Sequence, residues 1–216
     1  KFSNTLIVKN HRNFFPNSEK LIYLSGTPLH LLAINLVLKW REQFGPDMGI
    51  SFAAGVDRFN FSDAVSLGLA PVTVCSDWLK TGGYQRQAGY FEELNKKMDS
   101  VKAASIGDFI LRSHGQGAAA LKECAASLDK SVQSAAVQAL GDALDNGSRL
   151  DSSVTDFAKK HKLPTDWPAQ FYRQWTQKAA LLNARVFVPK LTTEARYSQK
   201  ENLAAPKKVG TKLSLF

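Results

Sequence analysis

Two short apolar runs, each ending in small residues, constrain the fold of this chain more than any other feature. The stretch ISFAAGVDRFNFSDAVSLGLAPVTVCSD contains both of them. Ile50–Ala53 and Pro71–Cys75 are predicted strands, and a short helix is predicted between them over Asn60–Leu67. A strand–helix–strand order of this kind predicts two parallel strands joined by a helical crossover.

The same alternation extends over the first hundred residues. Apolar residues recur at helical spacing between Pro28 and Gln43, and Thr27 suits the start of that helix. The other predicted elements are a strand at Lys1–Val8, a strand or turn at Leu21–Leu24 and a helix at Tyr84–Val101. Alternating strands and helices are typical of the α/β fold class, in which the strands form a parallel sheet.

The chain beyond about Ala103 has a different, mainly helical character. The Ala-rich stretch Ala118–Asn146 predicts one helix or two, and further helices are predicted at Val154–Lys162 and Pro168–Phe187. The last residues predict a loop followed by a strand. The expected organisation is an α/β domain at 1–102, a helical segment at 103–205 and the start of a linker or strand at 206–216.

The net charge of +9 is concentrated in the C-terminal part of the sequence. Between Asp156 and Phe216 there are 12 basic and 4 acidic residues, which gives a net charge of +8. A solvated basic face is the simplest interpretation, and nucleic acid, an anionic membrane or an acidic protein are the partners that such a face attracts. Because no module with interleaved aromatic and basic residues is recognisable, nucleic acid is not an expected partner.

The sequence shows no pattern for a metal site, a disulfide framework or a membrane span. The two cysteines, Cys75 and Cys124, do not form a CxxC pair, and the histidines lack metal-ligand spacing. No apolar run approaches the about 20 residues of a membrane-spanning helix, and no secretory signal is visible. We therefore expect a reducing, cytoplasmic location and no metal ion bound by this chain.

Small residues at strand ends can form a cradle for phosphate. Ligands of α/β folds bind at the carboxyl ends of the parallel strands, where peptide N–H groups and helix N-termini attract anions. Ala54-Gly55 and Cys75-Ser76 lie at two such ends, and Ser25-Gly26-Thr27 leads into a helix in the same way. We interpret these three junctions as arms of a phosphate site. The alternative is that the small residues only form tight strand-to-helix turns.

Residues 1–101 resemble the last part of the flavin barrel of class 1 dihydroorotate dehydrogenases and dihydropyrimidine dehydrogenases. The resemblance rests on SGTPLHLLAINLV from Ser25, AAGVD from Ala53 and PVTVCSDWLKTGGY from Pro71. It implies the final βα units of a partial (β/α)8 TIM barrel that binds FMN. The residues that it implies at the flavin or its phosphate are Lys1, Asn4, Ser25, Gly26, Thr27, Ala54, Gly55, Cys75 and Ser76.

Nearly the whole chain resembles a family of large iron–sulfur flavoproteins named as selenate reductase subunits and grouped with glutamate synthase small-subunit-like oxidoreductases. In that family a helical segment like Ala103–Phe187 follows the barrel, and Pro206–Phe216 resembles the approach to a ferredoxin-like cysteine motif. The resemblance implies that FAD and 4Fe–4S clusters lie in other parts of a parent polypeptide that takes electrons from NAD(P)H. The implied partners are the remainder of the parent or other oxidoreductase subunits. The resemblance supplies no catalytic residue in this chain.

Two departures from the flavin family leave a second function open. Ala54 replaces a glycine of the phosphate loop, and Asp77 stands where a small residue is usual. A carboxylate about 4 Å from a phosphate costs on the order of 1–4 kcal/mol, although Asp77 can instead cap a helix or pair with Arg58 or Lys80. The two alternatives are an oxidoreductase barrel that binds FMN or a vestige of that site, and a non-catalytic barrel that serves as a scaffold for partner subunits.

The number of predicted strands is too small for a closed barrel. Eight strands close a (β/α)8 barrel, whereas only three or four are predicted here, and open edges of a parallel sheet would remain unpaired. We therefore expect that this chain is a piece of a longer polypeptide or pairs with a missing half.

Overall fold

The structure is a computed structural model that describes residues 5–10 and 15–197. Within these ranges most residues are helical. The strands are β1 Leu6–Lys9 and β2 Leu21–Leu24, and the α-helices are α1 Thr27–Phe44, α2 Phe61–Ser66, α3 Gln87–Ser100, α4 Ile106–Arg112, α5 Gly117–Ala125, α6 Lys130–Asn146, α7 Leu150–Lys160 and α8 Trp167–Leu191. Short 3-10 helices lie at Gly83–Arg86 and Ala195–Tyr197. The described helices include none with the length and apolar character that crossing a membrane requires.

β1 and β2 form an antiparallel pair. Ile7 lies opposite Tyr23 and Val8 opposite Ile22 in this register. The prediction that successive strands run parallel is therefore wrong for this pair. The physical reason is the connection: no helix links β1 to β2, and a strand that returns without a crossover pairs antiparallel.

The two apolar runs that begin at Ile50 and Pro71 lie side by side and run parallel. The Phe52 N–H donates to the Pro71 carbonyl at 2.9 Å, and the Phe52 carbonyl accepts from the Thr73 N–H at 2.8 Å. α2 forms the crossover between them, as the sequence predicts. The pairing is limited to one bridge, between Phe52 and Val72, so neither run forms a full strand. No barrel is present within the described ranges; the parallel pairing there is confined to this bridge.

The helices follow the apolar pattern of the sequence closely. α1 extends the predicted helix by one residue at each end, and α8 covers Trp167–Leu191 where Pro168–Phe187 is predicted. The Ala-rich stretch forms two helices, α5 and α6, which is one of the two alternatives that its pattern allows. Their separation coincides with Ser127 and Asp129, residues that favour turns and caps over helix interiors.

α8 connects two buried clusters of the molecule. Its first half contributes Phe171 and Trp175 to a cluster formed with α4, α5, α6 and α7. Its last turns contribute Val188 and Leu191 to a second cluster, formed with α1, α2 and the parallel pair. Between them, the buried amide of Asn183 donates to a carbonyl of α2 at 3.0 Å and to a carbonyl of α4 at 2.8 Å. α8 therefore fixes the helical segment against the part that contains the strand ends.

The predicted linker or strand at 206–216 lies outside the described residues. The predicted division at 102 and 205 remains a prediction.

Candidate functional site

Two of the predicted junctions are in direct backbone contact. A Cβ atom at Gly55 would lie 2.0 Å from the Gly26 carbonyl oxygen, and the φ angle of Gly55 is +56°. Both features exclude a side chain at position 55. By contrast, no atom lies within 4 Å of the Cβ position of Gly26. The glycine at 55 thus permits the contact between the junctions, whereas the glycine at 26 faces open space.

His30, in the first turn of α1, supports this contact from the interior. Its Nδ1 lies 2.8 Å from the Ala54 carbonyl oxygen, so the neutral ring carries its proton on Nδ1 and donates it there. Its Nε2 is buried and has no hydrogen-bond partner among the described residues. Burial lowers the pKa of His30 and outweighs the opposite effect of the Ala54 hydrogen bond. A neutral imidazole therefore links α1 to the Ala54-Gly55 junction.

The Asn60 side chain and the 3-10 helix Ala195–Tyr197 close one side of the Ala54-Gly55 junction. The Asn60 amide donates to the Gly55 carbonyl at 3.1 Å and to the Tyr197 hydroxyl at 3.4 Å. The Tyr197 ring stacks on His30 with the ring centroids 5.8 Å apart. The 3-10 helix that ends at Tyr197 therefore lies against the strand ends. The sequence contains no signal for this placement, because 137 positions separate Asn60 from its partner.

Arg196 brings a positive charge to the same region. Its guanidinium lies 2.5 Å from the Asp57 carboxylate, two residues after Gly55. It also lies over the rings of Phe59 and Tyr197, at 5.6 and 5.0 Å from their centroids. Sequence reasoning missed Arg196 as a neighbour of the junction, since only the fold brings it next to Asp57.

Cys75 and Ser76 leave the parallel pair at the same end as the Gly55 junction. Phe52 and Val72 run in the same direction, so the residues that follow each of them emerge at one edge. Cys75 is exposed and Ser76 is half-buried. The peptide N–H groups of Gly55, Cys75 and Ser76 have no hydrogen-bond acceptor in the part of the chain that the structure describes. This end of the pair therefore presents several unpaired peptide donors.

Asp77, which directly follows these donors, has its charge balanced by its own neighbours. The buried carboxylate accepts hydrogen bonds from Lys80 at 3.0 Å, from Arg86 at 2.9 Å and from the Tyr90 hydroxyl at 2.7 Å. Burial acts to raise the pKa of Asp77, but these hydrogen bonds together lower it to about 2. The predicted pairing with Lys80 is confirmed, and Arg86 provides the second cation.

The remaining predicted site residues differ in their placement. Lys1 and Asn4 lie outside the described residues. Ser25 is exposed and Thr27 is half-buried, on either side of the open glycine. Ala54 is completely buried, so its methyl group packs in the core. The structure thus brings the Gly26 and Gly55 junctions together and places Cys75-Ser76 at the same end of the parallel pair.

Neither a metal-ligand cluster nor a disulfide is found among the described residues. Within residues 5–10 and 15–197, no group of three or more His, Cys, Asp or Glu side chains could hold a metal ion. Both cysteines are free thiols. Burial raises the pKa of Cys124 to about 11, which disfavours a reactive thiolate there.

Comparisons with known proteins identify a family for the first part of the chain. A family model described as "Oxidoreductase YgfK, N-terminal TIM-barrel domain" matches residues 1–134 of the 216. Two proteins named YgfK, from Escherichia coli strain K12 and Escherichia coli O157:H7, are each 33% identical to the chain over 94 residues. Their names assign them provisionally to the oxidoreductases. No solved structure matches the chain.

The alignment with the YgfK relatives covers very different shares of this chain and of the relatives. It includes 44% of this chain but only 9% of the length of each YgfK relative. The family match, in contrast, extends over more than half of this chain and includes all three junctions. The chain therefore belongs to the family of N-terminal TIM-barrel domains of the oxidoreductase YgfK.

Proposed function

We propose that this chain is part of an oxidoreductase and that its strand-end junctions bind the phosphate group of FMN. The observation that carries the proposal is the contact of Gly26 with Gly55 at the end of the parallel pair from which Cys75 and Ser76 also emerge. The family and its YgfK relatives support the oxidoreductase part, because both carry that designation.

The available hydrogen-bond donors fit a phosphate group. Phosphate oxygens accept hydrogen bonds from peptide N–H groups, and those of Gly55, Cys75 and Ser76 have no acceptor among the described residues. α1 begins directly after Gly26 without a side-chain cap. Its N-terminus therefore adds the positive end of an 18-residue helix to the same region.

The local charges also fit an anion. An isolated Asp77 would repel phosphate, but Lys80 and Arg86 provide two cations for this one carboxylate. Asp57 is likewise paired with Arg196 near the Gly55 junction. The Coulomb cost that the sequence predicts for Asp77 is therefore offset by contacts that the fold supplies.

FMN, when bound, supplies hydride-transfer and one-electron chemistry. The residues of this chain would bind and orient it. The peptide donors would hold the phosphate, and neutral His30 would keep the Ala54 junction in place beside α1. Lys1 and Asn4 are the residues proposed at the flavin ring, on the resemblance alone.

The electron path through the parent protein is a further part of the proposal. NAD(P)H would reduce FAD, and 4Fe–4S clusters would carry electrons between the centres, all in parts of the parent outside this chain. The remainder of the parent polypeptide or other oxidoreductase subunits would be the partners of this chain.

A non-catalytic scaffold is the second candidate function. One observation favours it: the Tyr197 ring covers His30 beside the Ala54-Gly55 junction. In this alternative the site is a vestige, and the basic region from Asp156 onward docks partner subunits. The two functions differ in one measurable property, which is the presence of FMN in the native protein.

Substitution of Cys75 tests the phosphate site. Cys75 is exposed, so Cys75→Glu adds a negative charge beside the unpaired donors without disturbing the core. A repulsion of about 1–4 kcal/mol weakens FMN binding at least about five-fold. Cys75→Gln is the matched neutral control and should bind FMN like the unsubstituted protein. The dissociation constants are measured by quenching of FMN fluorescence.

Equal FMN affinities of the Glu and Gln variants would contradict the phosphate site. A native protein that contains FAD and iron–sulfur clusters but neither contains nor binds FMN would favour the scaffold.

A further inference from the structure

The loop at residues 55–60 is fixed by two of its own side chains. The Asp57 carboxylate accepts hydrogen bonds from the N–H groups of Phe59 at 2.9 Å and Asn60 at 3.2 Å. The Asn60 side chain accepts a hydrogen bond from the Asp57 N–H at 2.8 Å and donates one to the Gly55 carbonyl at 3.1 Å. These hydrogen bonds determine the backbone conformation of the loop that begins at Gly55.

The 3-10 helix Ala195–Tyr197 contacts both of these side chains from outside the loop. The Arg196 guanidinium lies 2.5 Å from Asp57 Oδ2, whereas the loop N–H groups bind Oδ1 of the same carboxylate. The Tyr197 hydroxyl accepts a hydrogen bond from the Asn60 amide at 3.4 Å. Because these contacts use atoms that the loop itself leaves available, the 3-10 helix adds to the hydrogen bonds of the loop without replacing them.

The contact between Arg196 and Asp57 is more enclosed than an ordinary surface ion pair. The side chains are 28% and 13% exposed, and the guanidinium also lies over the Phe59 ring at 5.6 Å from its centroid. The family model matches residues 1–134, so Arg196 comes from the part of the chain beyond the match. The helical segment thus reaches back to the loop that supplies one of the proposed phosphate donors.

We infer, on the basis of the proposed FMN site, that Arg196 and Tyr197 are positioning residues of that site. They act through Asp57 and Asn60, which they hold in the conformation that leaves the Gly55 N–H available to phosphate. Loss of this hold lowers the fraction of molecules with a binding-competent loop, and the apparent affinity for FMN falls with that fraction. Because coupling between two sites is reciprocal, bound FMN stabilises the 3-10 helix in turn.

Asp57→Asn distinguishes positioning from direct attraction of the phosphate. Asparagine keeps an oxygen for the N–H groups of Phe59 and Asn60 but loses the charge that holds Arg196. We expect Asp57→Asn and Arg196→Gln each to raise the dissociation constant of FMN about five-fold. The double variant should resemble either single variant, because both changes remove the same ion pair. If Arg196 attracted the phosphate by its charge, removal of the Asp57 carboxylate would instead lower the dissociation constant.

Two further variants and a second ligand provide the controls. Arg185→Gln removes an ion pair of α8 with Glu42, at 3.2 Å, and should leave FMN binding unchanged. Arg196→Lys keeps a cation for Asp57 and should retain most of the affinity. Riboflavin lacks the phosphate, so its dissociation constant should be the same for all variants, which general damage to the fold would not allow.

Hydrogen exchange of the native polypeptide gives a readout that does not require a ligand. The Phe59 and Asn60 amides should exchange about five-fold faster in Arg196→Gln than in the unsubstituted protein. FMN should slow exchange of the Tyr197 amide, which donates to the Glu194 carbonyl at 3.0 Å. The first comparison tests the hold on the loop, and the second tests its coupling to the ligand.

Any of four results would overturn the inference: tighter FMN binding by Asp57→Asn, an equal loss of riboflavin affinity, unaltered exchange of Phe59 and Asn60 in Arg196→Gln, or unaltered exchange of Tyr197 with bound FMN. Failure of the unsubstituted protein to bind FMN would remove the flavin proposal. Faster exchange of Phe59 and Asn60 in Arg196→Gln would in that case still support the hold of the 3-10 helix on the loop.

Discussion

Replacement of Gly55 by alanine tests whether the Gly26 and Gly55 junctions meet as the structure shows. The φ angle of +56° costs an alanine about 1–2 kcal/mol. Its Cβ would also lie 2.0 Å from the Gly26 carbonyl oxygen, so the two backbones must separate. Overpacking of this kind costs about 1–3 kcal/mol, and loss of the His30–Ala54 hydrogen bond adds about 0.5–1.5 kcal/mol. We therefore expect Gly55→Ala to lower the free energy of unfolding by about 2.5–6.5 kcal/mol.

Gly115 provides the control for the backbone contribution. Its φ angle of +68° is similar, but no atom lies within 4 Å of its Cβ position. Gly115→Ala should therefore lower the free energy of unfolding by about 1–2 kcal/mol only. Both values are measured by urea unfolding followed by circular dichroism. Equal losses in the two variants would refute the contact between the Gly26 and Gly55 junctions.

Two further predictions concern buried polar groups. Burial lowers the pKa of His30 below 6.5, so the unfolded chain takes up the proton more readily and the stability of the folded state decreases as pH falls below that value. His30→Asn should reduce the loss of stability between about pH 7.5 and about pH 5.5, and an unchanged loss would contradict a neutral, buried His30. Arg41, which is 3% exposed, donates from one planar guanidinium to the carbonyls of Leu67, Gly68 and Ala180. Arg41→Lys cannot reproduce these directions and should lower the free energy of unfolding by about 2 kcal/mol, whereas unaltered urea unfolding would show that these hydrogen bonds contribute little.

The α-helices other than α4, which was not predicted, could be predicted from the sequence because their signals are local. Pro28 at the start and Gly45 at the end define α1, and the apolar spacing between them repeats every three to four residues. The crossover between Phe52 and Val72 was also predictable, since small residues and a short helix separate two runs of extended-chain residues. Each of these elements depends on residues that are close in sequence.

Strand pairing and the surroundings of the junctions depend on residues that are distant in sequence. β1 has the same apolar pattern whether its neighbour runs parallel or antiparallel, and the pattern does not distinguish the two. Arg196 and Tyr197 reach Asp57 and Asn60 across 139 and 137 positions. The sequence predicts that Gly55 leaves room for a ligand. In the structure, the missing side chain allows the backbone of Gly26 to approach. A sequence pattern identifies a small residue without identifying what occupies the space beside it.

The affinity of the native polypeptide for FMN relative to riboflavin tests the central claim most directly. The two ligands share the flavin ring and differ in the phosphate group, which the peptide donors of Gly55, Cys75 and Ser76 are proposed to bind. Because each charge-assisted hydrogen bond contributes about 1.5–3 kcal/mol, calorimetric titration should give FMN a dissociation constant at least about 100-fold lower than that of riboflavin. Equal dissociation constants for FMN and riboflavin would show that the strand ends do not bind phosphate.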